Sequence, residues 1–170
     1  MTDETGTLDL ELARTVLRQG ELRLQAHLGL AVAADQRAVT LTAMFAATAL
    51  AALGFGASWI DGPAANVPLG IGAVVAGLAF AGAAGLCVWA LRPMTFALAG
   101  AQPEKWWCDG VEARPLAECL RKESNNYQKR IEHNRRALAR NAESIRRALR
   151  LACVAPILGL AVWALVRVSV

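Results

Sequence analysis

No Asp, Glu, Lys or Arg occurs within Ala38 to Ile60, Val67 to Leu91 or Leu151 to Val166, three apolar runs in a chain of 170 residues. A charge at mid-bilayer costs about 2.5 to 3.5 kcal/mol, and a hydrocarbon core of roughly 30 Å takes about 20 helical residues to cross. The first two runs are long enough and the third is short. An all-α membrane protein with three transmembrane helices follows, with long helical extensions outside the bilayer. Pro156 and Gly159 interrupt the third run, so it either spans or re-enters and lies shallow.

Other absences exclude chemistry. The chain has no C-x-x-C and only two separated histidines, His27 and His133, so no metal site is expected. Cys87 and Cys153 sit in apolar runs, while Cys108 and Cys119 are too far apart to suggest a site; all four read as structural thiols. Intramembrane proteolysis or proton relay needs ionisable groups at depth, yet the first two runs offer only the hydroxyls of Thr40, Thr42, Thr48 and Ser58. Gly70, Gly72 and Gly77 follow no strand, which removes the nucleotide-loop reading. Three spans carry no inverted repeat, against a secondary transporter. Too little chain remains for a separate globular enzyme domain, so neither an enzyme nor a cofactor is expected. With no basic region ahead of the first run, that run is read as a retained anchor and not a cleaved signal.

The charge that is present is asymmetric. Residues 92–150 hold thirteen Lys and Arg, residues 1–37 hold four, and Asp61 to Asn66 holds none. By the positive-inside rule, the N-terminus and residues 92–150 are cytoplasmic and the C-terminus lies outside. The chain then divides into a cytoplasmic N-terminal helix (1–37), a transmembrane hairpin (38–91), a cytoplasmic basic segment (92–150) and a third transmembrane helix (151–170). Arg167 is left near the outer end, where it can snorkel to the headgroups.

Thr7, Asp9 and Glu11 resemble a capped helix start, placing the first helix from about Leu8, loosened at Gly20 and Gly29 before it enters the membrane. Asp61-Gly62-Pro63 ends the first span, and Asn66 with Pro68 starts the second. Small residues predict close hairpin packing through Ala46, Ala47, Ala51 and Gly54 on one side and Gly70, Gly77, Ala81 and Gly85 on the other. Beyond Pro93, Trp106 and Trp107 either anchor at the interface or pack on the cytoplasmic helices.

After Pro115 comes the most patterned helix. Ile131, Leu138 and Ile145 hold one heptad position, and Leu120, Tyr127, Asn134, Asn141 and Ala148 another. Buried amides in such a seam lower stability but fix register, so Tyr127, Ile131, Asn134, Leu138, Asn141 and Ile145 are the candidates for setting subunit register. The remaining face is basic, with Lys129, Arg130, Arg135, Arg136, Arg140, Arg146 and Arg147, the first five being the candidates for ligand binding. It is a solvated face with membrane-proximal charge, a partner for the acidic N-terminal arm, or a site for a phosphate-bearing nucleotide or oligonucleotide, whose oxygens suit guanidinium forks. No aromatic residue follows the cluster closely enough to stack bases, against a general nucleic-acid role.

The stretch from Tyr127 through Arg130, Asn134, Arg135, Arg136 and Arg140 to Ala142, running into an apolar span, resembles the membrane-proximal helix of small bacterial defence effectors; Ala33-Ala34-Asp35-Gln36-Arg37-Ala38 does likewise. The families are the SLATT domain and the related Pycsar-type membrane effectors. The resemblance implies a homo-oligomeric effector of the bacterial inner membrane that forms or gates a pore in antiphage defence, triggered by a nucleotide signal or a separately encoded sensor protein. The third span departs from the two-span SLATT pattern. Thr40, Thr42 and Thr48 are the candidate pore-lining residues. The alternative is a non-conducting anchor or adaptor that recruits a partner through its cytoplasmic coiled coil.

Overall fold

A computed structural model describes residues 3–61, 66–100 and 116–169, with side chains from Asp9 onward. The expectations for Trp106, Trp107, Cys108 and Pro115 lie outside the described residues. Those residues form three helices: α1 (Asp3–Asp61), α2 (Val67–Ala90) and α3 (Leu116–Ser169). Each carries a window long and apolar enough to cross a membrane. The backbone divides into two compact units, one of residues 1–32 and 94–139, the other of residues 33–93 and 140–170.

α1 starts at Asp3, ahead of the expected Leu8, so Thr7 lies within the helix. Neither Gly20 nor Gly29 breaks α1, and Pro156 lies inside an unbroken α3. Asn66 caps α2 as expected: its carboxamide oxygen accepts from the Leu69 N–H at 3.3 Å, and proline occupies the first turn.

In the unit of residues 33–93 and 140–170, small residues let three helices meet at backbone distance. A Cβ on Gly70 would stand 2.8 Å from the Gly56 carbonyl oxygen, and one on Gly72 would stand 2.6 Å from that of Gly159. Any side chain at these positions would push helix from helix. In lipid, where burial from water gives no drive, such contact is the main source of helix association. Lower in the same unit Phe45, Ala83, Ala84, Cys87, Ala148 and Ala152 form one buried cluster.

The hairpin contact differs in phase from the sequence expectation. Gly70 and Gly77 are buried as expected, but α1 meets them through Ala49, Leu53, Gly56 and Ile60. Ala47, Ala51, Gly54, Ala81 and Gly85 are exposed and Ala46 is half-buried. Alanine and glycine occur on every side of α1, so small size alone does not select a face; the pairing of Gly56 with Gly70 does.

Candidate functional site

The unit of residues 1–32 and 94–139 is held by polar side chains. After α2 the chain runs without regular structure from Pro93 to Leu98, leaving backbone groups that need partners. α3 supplies them. Asn134, fully buried, uses both ends of its amide on one residue: Nδ2 donates to the Ala97 carbonyl at 3.0 Å, and Oδ1 accepts from the Ala97 N–H at 2.9 Å. Two turns earlier Tyr127 accepts from the Gly100 N–H at 3.0 Å and donates to Glu21 on α1 at 3.3 Å. Arg130 donates to the Gly100 carbonyl at 2.8 Å, and His133 Nε2 lies 3.0 Å from the Thr95 carbonyl, where it must donate. Residues 95–100 are thus a strap pinned along α3.

α1 closes the other side. Gly20 faces the Tyr127 ring, and a Cβ there would stand 3.1 Å from Cδ2. This gives Gly20 a packing role where the sequence suggested loosening. Burial, reinforced by the carboxylates of Glu21 and Glu123, pushes the Tyr127 phenol above its ordinary value; the Gly100 N–H pulls the other way. Arg121 and Asp9 join the same two helices at 3.1 Å through an exposed pair, which contributes little.

The register candidates divide accordingly. Tyr127 and Asn134 are buried and bonded within the chain, while Ile131, Leu138 and Ile145 are half-buried. The Asn134 amide, a candidate for setting subunit register, bonds to its own strap through both its oxygen and its nitrogen. Asn141, in the other unit, is buried with no hydrogen-bond partner for Oδ1.

The basic face also divides. Arg130 turns to the strap and lies over the Tyr127 ring, 5.3 Å from its centroid. Arg136 pairs with Glu132 at 3.1 Å. Lys129 and Arg135 are exposed, and Arg140 falls in the second unit. An open cleft of about 400 Å³ lies between α1 and α3, lined by Gln19, Gly20, Arg23, Tyr127 and Gln128 among others, and by none of the five basic candidates. Of the threonines, Thr40 and Thr48 are exposed and Thr42 is half-buried; each hydroxyl donates to its own helix, to Gln36, Met44 and Ala38 respectively.

The strap is the feature least legible in the sequence. Its signal is an apolar stretch broken by Gly100 and Pro103, too short for another span, beside a helix carrying Tyr127, Asn134 and Asn141 in line with Leu120 and Ala148.

Comparison with known proteins gives one positive result. The family described as the Pycsar effector protein domain matches residues 21–170. No curated protein and no solved structure matches.

Proposed function

The chain belongs to the Pycsar effector family, as a membrane effector of antiphage defence, and on that premise we propose that it works as a homo-oligomer whose bundled helices form or gate a pore. The observation that carries the proposal is the set of small residues left over after the single chain has folded. Ala47, Ala51, Gly54, Ala81 and Gly85 are exposed, and a Cβ on Gly54 or Gly85 would meet nothing within 4 Å. Helices in lipid associate through such positions. Three helices packed on one another enclose no water path, so conduction requires several copies. The reading is non-enzymatic and places the protein in the bacterial inner membrane, with the N-terminus and residues 92–150 cytoplasmic and the C-terminus outside.

The trigger in this reading is a nucleotide or oligonucleotide signal, or a separately encoded sensor protein, acting on the polar unit. Of the basic candidates, Lys129, Arg135 and Arg136 are exposed in that unit, Arg136 paired with Glu132, and Arg140 lies beyond the unit boundary. Thr40 and Thr48 are the exposed hydroxyls offered to a pore wall. An adaptor role rests on a different observation: Leu12, Leu22 and Leu30 are each more than half exposed on α1, an apolar surface that suits a protein partner. Ion flux from liposomes holding the purified protein, with and without added nucleotide, separates the readings. Flux that rises with protein density supports the pore. A stable oligomer that releases no ions under either condition, yet binds a partner through α1, establishes the adaptor.

A further inference from the structure

The arginines of α3 continue past the level at which the hairpin becomes apolar. Ala148 shares its buried cluster with Phe45, Ala83, Ala84 and Cys87, so Arg146, Arg147 and Arg150 stand beside that part of the hairpin. Leu151 Cδ2 lies 3.3 Å from the place of a Cβ on Gly82, which sets Arg150 level with Gly82 and Ala83. From there α2 continues to Ala90 without a charged residue, about eight residues or ~12 Å of helix. That is further than an arginine stem extends in snorkelling.

All three arginines are exposed, on the side of α3 away from Ala148 and Ala152. The next turns of that side present Val154, Ile157, Leu160 and Leu165, the last 70% exposed, a surface suited to acyl chains and not to water. Glu143 pairs with Arg146 and Arg147 at 3.3 and 3.1 Å, and Arg150 has no salt bridge to a carboxylate among the described residues. Three cations against one anion leave this patch net positive.

We propose that Arg146, Arg147 and Arg150 bind the phosphate groups of anionic phospholipids drawn down along α3, so that the bilayer is thinner against this helix than against the hairpin. Guanidinium forks match phosphate oxygens, and a helix with a short apolar stretch is accommodated by local thinning. The mismatch is large: the uncharged stretch Leu151 to Val166 spans ~24 Å, against ~36 Å for the 24 residues of α2. This inference goes beyond the pore reading and holds whether or not the protein conducts.

The test compares two depths in full-length protein reconstituted into phosphatidylcholine vesicles containing phosphatidylglycerol. A fluorophore is placed on the exposed Cys153, with Cys87, Cys108 and Cys119 replaced by alanine. In a second variant, Cys153 is also replaced and the fluorophore sits on Leu78→Cys, at a site 59% exposed. The α2–α3 pairing puts these positions at the same level. Lipids with a quencher on the headgroup should quench the Cys153 label more strongly, by roughly twofold or more. The excess should vanish in R146Q/R147Q/R150Q and shrink without phosphatidylglycerol. Equal quenching at the two positions overturns the proposal even if the triple variant fails to insert. So does an excess that survives the triple variant or is unchanged without phosphatidylglycerol, and so does a Cys153 label quenched by aqueous iodide but not by the lipid, which would mark a water-filled vestibule.

Discussion

Residues 33–93 and 140–170 meet through glycine backbones, whereas in residues 1–32 and 94–139 side-chain hydrogen bonds pin the strap to α3, alongside buried apolar residues such as Leu24 and Leu120. In the first unit the decisive positions, Gly56, Gly70, Gly72 and Gly159, offer nothing but absence of bulk. In the second they are Tyr127, Arg130, His133 and Asn134, each donating to or accepting from another part of the chain. With the second unit outside the bilayer, as proposed above, the difference is one of solvent. Lipid rewards close contact and leaves no water to satisfy a stray amide; outside it, an irregular strap is tolerated once its backbone is paired.

The largest expected break in this contrast is Gly72→Leu, which sets a side chain against the Gly159 backbone. Neither backbone can yield without parting the helices, so destabilisation of about 3 kcal/mol or more is expected. Thermal unfolding in detergent should show it, while Gly29→Leu, with open space around it, should unfold near the parent temperature. Equal losses at both sites would remove the glycine account.

Asn134→Leu comes next, at about 2 kcal/mol, because it strands the N–H and carbonyl of Ala97. Hydrogen exchange should accelerate across residues 95–100 and leave α2 protected. Loss of protection in α2 as well would show that the polar contacts do not act within their own unit.

Tyr127→Phe should lose about 1 kcal/mol and alter the alkaline response. With the phenol raised above its ordinary value near 10, the folded and unfolded chains both keep the proton below pH 10. Above it the unfolded chain releases the proton first, so stability falls as pH rises through the raised value. The parent should therefore lose stability in alkali more steeply than the phenylalanine variant, as followed by circular dichroism.

The smallest effect sharpens the comparison by reversing its sign. Asn141→Leu removes a buried amide oxygen without a partner and should stabilise by up to about 1 kcal/mol. A clear destabilisation would mean that Asn141 has a partner in the assembled protein, and crosslinking of that variant against the parent would then report altered subunit number.

These outcomes bear on what was legible in the residues. The three apolar runs needed only composition, and the line Leu120, Tyr127, Asn134, Asn141 and Ala148 is indeed the buried side of α3, because its period fits a helix. Ala47, Ala51 and Gly54 illustrate the opposite case: a helix small on every side has no periodic signal, and the contact fell instead on Ala49 and Gly56. The partners of Asn134 and Arg130 were hidden for another reason. Backbone acceptors have no letter in the sequence, so a side chain that binds main chain looks like one without a partner, and Arg130 was grouped with cations from which the fold separates it.

The grip of Asn134 on Ala97 has a consequence for sequence variation. Since the amide holds only the peptide group, this bond constrains the half-buried position 97 through its backbone alone, and proline is the substitution it must refuse. Tolerance is therefore lopsided: position 97 answers to this bond through its backbone alone and Gly100 is held to glycine by its φ of 98°, while the helix position that grips the strap has few equivalents.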